Sequence, residues 1–230
     1  MTPIYDTLII GAGIAGASLG YRLAGQQRVL LIEREAQPGY HSTGRSAAMF
    51  MEAYGTAQIQ ALTRASRAFY EAPPEGFCEH PLLEPRGCLY VASVEQRELL
   101  EQTHAQNLAN GTEVSLLDRD AALALVPSLR GETLAGAVLE PGAMDLDVHA
   151  LHQGFLRGYR AAGGELRCNA ELIQAVYLDN LWQVELAGGS RLQARQLVNA
   201  AGAWADCVAE QCGVGRIGLQ PCRRSAFTFP

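Results

Sequence analysis

The strongest constraint on this chain lies in its first 35 residues. An almost wholly apolar run, Thr7-Leu8-Ile9-Ile10, leads into Gly11-Ala12-Gly13-Ile14-Ala15-Gly16. A strand buried on both faces of a parallel sheet needs such a run. A helical stretch follows to about Gly25, then a second apolar strand, Arg28-Val29-Leu30-Leu31-Ile32, closed by Glu33. Strand, glycine turn, helix, strand and acid make a βαβ unit. The three glycines have separate tasks: Gly11 permits the tight turn, Gly13 lets the backbone approach a pyrophosphate, and Gly16 lets helix and strand pack closely. The helix start offers unpaired N–H groups and a partial positive charge to phosphate. Glu33 lies 22 residues beyond Gly11, where a carboxylate accepts from ribose hydroxyls. An acid there favours a free 2′-OH over a 2′-phosphate, so FAD or NAD fits better than NADP. The motif itself does not choose between those two, which share the AMP half.

Further along, residues 38–48 are rich in glycine and hydroxyls, unlike a connection selected for solubility alone. Thr56 is placed to cap a helix with Ile59, Leu62 and Phe69 on one face, stopped by Pro73-Pro74. Residues 88–92 read as a strand. Ser93 with Gln96 forms a capping-box pattern for a helix to about Asn110, ended by Gly111. Asp118 is expected to cap a short helix before Pro127, and Asp147 one from Val148 to about Ala162. From Glu165 the pattern turns strand-like: a run to Asn169, another to Leu178, an Asp179-Asn180 turn, and residues 182–186. After a Gly188-Gly189 turn, Leu197-Val198 reads as a last buried strand ahead of a helix near Trp204. Residues 225–229 alternate like the start of a strand that stops at Pro230, which predicts a chain cut short inside a sheet.

Composition narrows the class. With 48% hydrophobic and 18% charged residues the chain has the material for a core and is not disordered. Eighteen Lys+Arg against 24 Asp+Glu, a formal charge of −6, argue against nucleic acid as a partner. No apolar run reaches the length of a membrane span. No basic region precedes the first apolar stretch, so no signal peptide is read and the expected address is the cytoplasm. The six cysteines form no CxxC and share no zinc-ligand spacing with the five histidines. They read as reduced thiols, and no metal site is predicted.

The residues after the second strand carry a family resemblance. Glu33-Arg34-Glu35, followed by Gly39-Tyr40-His41-Ser42-Thr43-Gly44-Arg45-Ser46-Ala47-Ala48, resembles the FAD-dependent D-amino acid oxidase/dehydrogenase superfamily, best its bacterial D-arginine dehydrogenases. Support comes from Gly76-Phe77-Cys78-Glu79-His80-Pro81, Leu151-His152-Gln153-Gly154, and residues 197–204 and 219–229, so it covers essentially the whole chain in order. The resemblance implies FAD, not a diffusible nicotinamide. The implied fold class is α/β: a Rossmann-like FAD-binding domain of glutathione-reductase type over residues 1–80 and 145–215. The beginning of an interleaved α+β substrate domain is expected over 81–144 and 216–230, in a chain truncated at its C-terminus. By similarity, Ser42, Thr43, Gly44, Arg45, Ser46, Ala47, Ala48 and Met49 pass over the pyrophosphate and flavin ring. Ala15, Arg34, Ala201 and Gly202 are assigned to the cofactor as well, and Leu172 offers backbone contacts to adenine.

The substrate end of the resemblance matches Tyr54, Cys88 and Arg223. A guanidinium at Arg223 suits the carboxylate of an α-amino acid, which it can clamp bidentately. The implied reaction is oxidation of a carbon–nitrogen bond: the Cα hydrogen leaves as hydride to flavin N5, and the imino acid hydrolyses to a 2-oxo acid and ammonia. No protein base is required if the amine arrives neutral, so no catalytic residue is nominated and His41, His80, His149 and His152 read as structural. Two departures bear on the substrate. Cys88 stands where arginine-preferring relatives have an acid, and Met49 where the nearest ones have histidine. Both make the pocket more apolar, which points to a D-amino acid with a neutral or hydrophobic side chain. Glycine, sarcosine or a cyclic imino acid is the alternative substrate, and a nucleotide-binding fragment without catalysis the alternative role. Resemblance alone makes a quinone or other acceptor the electron sink.

Overall fold

The computed structural model describes residues 3–223 and 225 of the chain. In chain order the elements are β1 (Ile4–Ile10), α1 (Ile14–Leu23), β2 (Val29–Ile32), β3 (Met49–Phe50), α2 (Ala57–Glu71), β4 (Leu83–Pro85), β5 (Cys88–Ser93), α3 (Arg97–Ala109), β6 (Ser115–Asp118), α4 (Arg119–Leu125), β7 (Leu134–Glu140), β8 (Met144–Leu146), α5 (Val148–Ala161), β9 (Glu165–Arg167), β10 (Leu172–Leu178), β11 (Leu181–Leu186), β12 (Arg191–Asn199) and α6 (Ala205–Gln211). The alternation expected over 225–229 lies outside the described residues, Ser225 excepted.

The chain divides into two compact units. Unit 1 comprises Met1–Ala47, Gly76–Glu79 and Val148–Pro230, and unit 2 comprises Ala48–Glu75 and His80–Asp147. His80 and residues 145–147 fall in unit 2, a shift of a few residues from the expected boundaries, and two longer stretches differ for a visible reason. Residues 48–75 join unit 2 because β3 pairs with β8, Met49 opposite Asp145 and Phe50 opposite Met144. Residues 216–223 group with unit 1, where the Asp206 carboxylate accepts from the amides of Ile217, Gly218 and Leu219 at 2.8–3.0 Å.

Unit 1 is built on a six-stranded sheet in the order β10-β11-β12-β1-β2-β9. β12, β1, β2 and β9 run parallel, and β10–β11–β12 is an antiparallel meander. The apolar runs of β1 and β2 occupy the sheet centre, where Leu8, Ile9, Leu30 and Leu31 are fully buried. Small residues let α1 and α5 approach each other: a Cβ on Gly20 would meet the Tyr159 ring at 3.2 Å, and one on Gly158 would overlap Tyr21. Asp179 and Asn180 both have positive φ, 52° and 61°, as a two-residue hairpin turn requires. Leu197 and Val198 are only partly buried, contrary to expectation. They pair with β1 on one side, but β11 reaches only as far as Ala194 on the other.

Unit 2 holds two three-stranded sheets, β3-β8-β4 and β5-β7-β6. Its helices start as the sequence predicts. Thr56 accepts from Ile59 N, Asp118 from Ala121 N at 2.8 Å, and the Ser93/Gln96 capping box is formed, leading through one 3-10 turn into α3. β7 is the central strand, packing Val138 with Leu100 and Val114 on one side and Ala137 with Ala122 on the other. Among the described residues no helix is long and apolar enough to cross a membrane.

Candidate functional site

The glycine turn after β1 has the geometry its sequence requires. Gly11 sits at φ +102°, and a Cβ there would come 2.5 Å from the Ala200 carbonyl oxygen. A Cβ on Gly16 would overlap the Gly11 carbonyl, so both positions admit nothing larger. Gly13 differs: within 4 Å its Cβ would meet only the Thr43 hydroxyl, at 3.3 Å. Gly13 is therefore open on the side from which a ligand approaches. It is the N-cap of α1 and makes no side-chain cap bond. The next amide, Ile14 N, donates to Thr43 Oγ1 at 3.0 Å. Among the described residues the amides of Gly13 and Ala15 have no protein acceptor, and they stand at the positive end of the helix.

The second strand delivers Glu33 beside this turn. Its Oε2 accepts from Ala12 N and its Oε1 from Glu35 N, each at 3.0 Å. Two amides thus fix the carboxylate while each oxygen keeps a further lone pair. The loop that covers the turn is held from below by His152, only 3% exposed. Its Nε2 donates to Ala12 O at 2.9 Å, and a Cβ on Gly39 would lie 2.8 Å from its ring. Gly44 N donates to Gly39 O at 2.7 Å and closes the loop over residues 39–44.

Burial pushes the His152 pKa below its ordinary value, and the Ala12 carbonyl offsets part of that. The folded chain therefore resists protonation that the unfolded chain accepts. As pH falls below about 6.5, stability drops until the folded pKa is passed, with a slope of at most about 1.4 kcal/mol per pH unit. Urea midpoints at pH 7.5 and 5.5 should show a smaller acid loss in His152→Gln than in the parent. Equal losses in both would reject this account.

Around the turn lies a cavity of about 330 Å³, wholly within unit 1. Of the residues assigned from sequence, Gly11, Gly13, Glu33, Arg34, Ser42, Thr43, Leu172, Ala201 and Gly202 line it. Ala15, Gly16, Gly44, Arg45, Ser46 and Ala47 belong to the same unit without lining the cavity. Sequence reasoning missed the cluster at its edge. The Arg34 guanidinium lies 4.1 Å from the centroid of the Trp204 ring, and the His41 ring lies 4.5 Å from it. Glu35 Oε1 accepts from His41 Nε2 at 2.8 Å and from Arg34 Nε at 3.1 Å. The His41 hydrogen bond, with help from Arg34, holds the Glu35 carboxyl below the usual carboxylate range. The only available signal was the charge alternation in Glu33-Arg34-Glu35. α6 and the turn before it add Trp204, Cys207, Val208 and Gln211, spaced three, four and seven apart on one face.

Ala48, Met49, Tyr54 and Cys88 fall in unit 2, and Arg223 is an exposed residue of unit 1. Met49 and Tyr54 line an apolar cavity of about 290 Å³ with Phe50, Met51 and Tyr70. Cys88 is half-buried, and burial pushes its thiol pKa up. Directly across the sheet from Cys88 stands Glu140, a residue the sequence reading did not single out. It is 1% exposed: Oε1 accepts from Glu52 N at 2.6 Å and Ala53 N at 3.3 Å, and Oε2 from the Tyr90 hydroxyl at 3.1 Å.

The glycines that a Cβ would block, the free amides at the α1 N-terminus and the anchored Glu33 carboxylate fit the phosphates and ribose of a dinucleotide. Comparison with known proteins agrees. A family model described as FAD dependent oxidoreductase matches residues 6–230. L-2-hydroxyglutarate dehydrogenase of Escherichia coli is 25% identical over 228 residues, 95% of this chain and 51% of that protein. Glycine oxidase of Geobacillus kaustophilus is 26% identical over 93% of this chain and 59% of its own, and its crystal structure superposes with a TM-score of 0.81. The FAD-bound L-alpha-glycerophosphate oxidase of Mycoplasma pneumoniae, 18% identical, shares the fold with a TM-score of 0.80 over 92% of this chain and 57% of that one. The chain thus spans a little over half the length of these relatives, at 51% and 59% of the two curated ones. They support the family at large and not its D-arginine-oxidising branch in particular. On the match over residues 6–230, the chain belongs to the FAD-dependent oxidoreductase family, whose cofactor is FAD.

Proposed function

We propose that this chain is the FAD-holding portion, with the start of a substrate domain, of a flavoenzyme that oxidises the carbon–nitrogen bond of a small α-amino acid. The carrying observation is the cradle formed by Gly11, Gly13, the free Gly13 and Ala15 amides and Glu33 around the cavity in unit 1. FAD supplies the two-electron acceptor, and the protein aligns and encloses. Gly13, Ala15 and Thr43 hold the pyrophosphate end, and Glu33 the ribose. Tyr54 and Cys88 are proposed contacts to the substrate side chain, and Arg223 the proposed partner of its carboxylate.

A neutral or hydrophobic D-amino acid is the preferred substrate. Cys88 offers no charge. Glu140, directly across the sheet from it, is committed to two amides and a phenol. A cationic side chain brought there would lose its hydration without gaining a free partner. Glycine oxidase among the relatives favours an amino acid substrate. L-2-hydroxyglutarate dehydrogenase favours a second reading, oxidation of a 2-hydroxy acid, which would use the same carboxylate anchor. A quinone or dye is the proposed electron acceptor.

The visible spectrum of the purified chain tests the cofactor: flavin bands, with FAD released on denaturation, support it. FMN, or a colourless folded protein, refutes it. Anaerobic bleaching of the flavin in the full-length protein by D-Met, D-Leu or D-Pro, and not by D-arginine or 2-hydroxyglutarate, tests the substrate class. Arg223→Met should weaken substrate binding by about 1.5–3 kcal/mol, the scale of a hydrogen bond to a charged group. An unchanged KM would remove Arg223 from the site.

A further inference from the structure

We propose that Gln211 reads the base of the dinucleotide, admitting a purine with an exocyclic amine and rejecting one with an oxygen in its place. The proposal rests on the cofactor reading above and goes beyond it to a residue of α6. A dinucleotide is a linear ligand, so its parts must follow one another along the cavity. The α1 N-terminus marks the pyrophosphate and Glu33 the ribose. Beyond Glu33 the cavity wall is made by Leu172 at the start of β10 and by the α6 face that carries Val208 and Gln211.

This end of the cavity suits a flat heterocycle. Leu172 and Val208 are buried, at 4% and 6% exposure, and present apolar surface. Polar groups at this end include the Leu172 carbonyl and the Gln211 amide, which are bonded to each other. Gln211 Nε2 donates to Leu172 O at 3.1 Å. A carbonyl can only accept, so this bond orients the side chain with its NH₂ on Leu172. Among the described residues the Gln211 side chain bonds through Nε2 alone, which leaves Oε1 as a solvent-accessible acceptor on the half-buried residue. The Leu172 carbonyl also keeps its second lone pair. The slot therefore offers two acceptors side by side.

Adenine answers this pattern with the two hydrogens of its exocyclic amine. Hypoxanthine places an oxygen there, and oxygen would face oxygen. An unmade hydrogen bond at a desolvated position is the kind of mismatch that a polar site rejects most strongly. Gln211 thus has a double role: it fixes the Leu172 carbonyl and adds the second acceptor. A side chain serving only to pack α6 on β10 would have neither effect on base choice.

The test uses FAD and its deaminated analogue, flavin hypoxanthine dinucleotide, titrated by flavin fluorescence into the 230-residue chain. The parent should prefer FAD by about tenfold or more. Gln211→Leu should bring the two affinities within about twofold of each other. Gln211→Glu keeps an acceptor but loses the donor to Leu172. It should bind FAD more weakly while still preferring it. A ratio unchanged in Gln211→Leu, with a far-UV circular dichroism spectrum matching the parent, overturns the proposal, as does a parent that does not discriminate. Binding of neither dinucleotide to the parent would overturn the cofactor reading and this inference together.

Discussion

Gly16→Ala is expected to abolish FAD retention and to lower stability by roughly 3 kcal/mol or more. The added methyl would overlap the Gly11 carbonyl, a backbone atom that cannot rotate away. Moving it displaces Gly11, whose own position is pinned at φ +102° against Ala200. The helix N-terminus and the turn would part, and the amides aimed at phosphate would lose their alignment. Gly13→Ala is the informative contrast, because its Cβ would meet only the Thr43 hydroxyl, at 3.3 Å. It should cost less than about 1 kcal/mol of stability yet still weaken FAD, since the methyl occupies the ligand's approach. Thermal unfolding without FAD and a flavin titration on both variants separate the effects. A Gly16→Ala chain that binds FAD like the parent would mean that the turn is not the phosphate cradle.

Glu140→Ala is expected to destabilise the chain by about 4 kcal/mol. Three donors in unit 2, the amides of Glu52 and Ala53 and the Tyr90 hydroxyl, converge on that one carboxylate. Removing it takes the acceptor from both amides and leaves the Tyr90 hydroxyl only the weak Met51 Sδ acceptor at 3.5 Å, at roughly 1–3 kcal/mol for each group left buried and unpaired, before relaxation recovers a part. Glu140→Gln should stay within about 1 kcal/mol of the parent, because an amide oxygen can receive both backbone amides while its nitrogen donates to the Tyr90 oxygen. Urea unfolding of the three proteins measures the difference. Equal losses for Gln and Ala would indicate that the negative charge, not the acceptor geometry, holds this cluster.

The parts of the molecule that were legible in sequence are those written locally. β1, α1, β2 and Glu33 follow one another without a break, so strand, turn, helix and acid could be read together. The caps at Thr56, Ser93 and Asp118 were likewise a matter of neighbours within three positions. β7 was not legible: in Leu-Ala-Gly-Ala-Val-Leu-Glu three consecutive residues are small and a single Val is β-branched. Its place as a central strand depends on close approach, since a Cβ on Gly136 would come 2.5 Å from the Leu117 carbonyl. Glu140 was invisible because its partners lie 50 to 88 positions away. Gln211 and Trp204 shared a helical spacing that, on paper, describes an ordinary packing face equally well. Residue types reveal which local shape is favoured; they do not say which distant carboxylate or amide will arrive opposite.

The strand order of unit 1 also sets a timetable for its assembly. β1 finds β2 almost at once, with only α1 between them, but its other neighbour in the sheet is β12, which begins at Arg191. Until the ribosome has released that stretch, one edge of a strand as apolar as Thr7-Leu8-Ile9-Ile10 has no partner in the native sheet. All of unit 2, which lies between residues 48 and 147, is synthesised during the wait. Loops closed over so long a separation form slowly, and an open apolar edge invites pairing with other chains in the meantime. The yield of soluble protein should therefore depend on translation speed and chaperone supply more than on the final stability of the sheet.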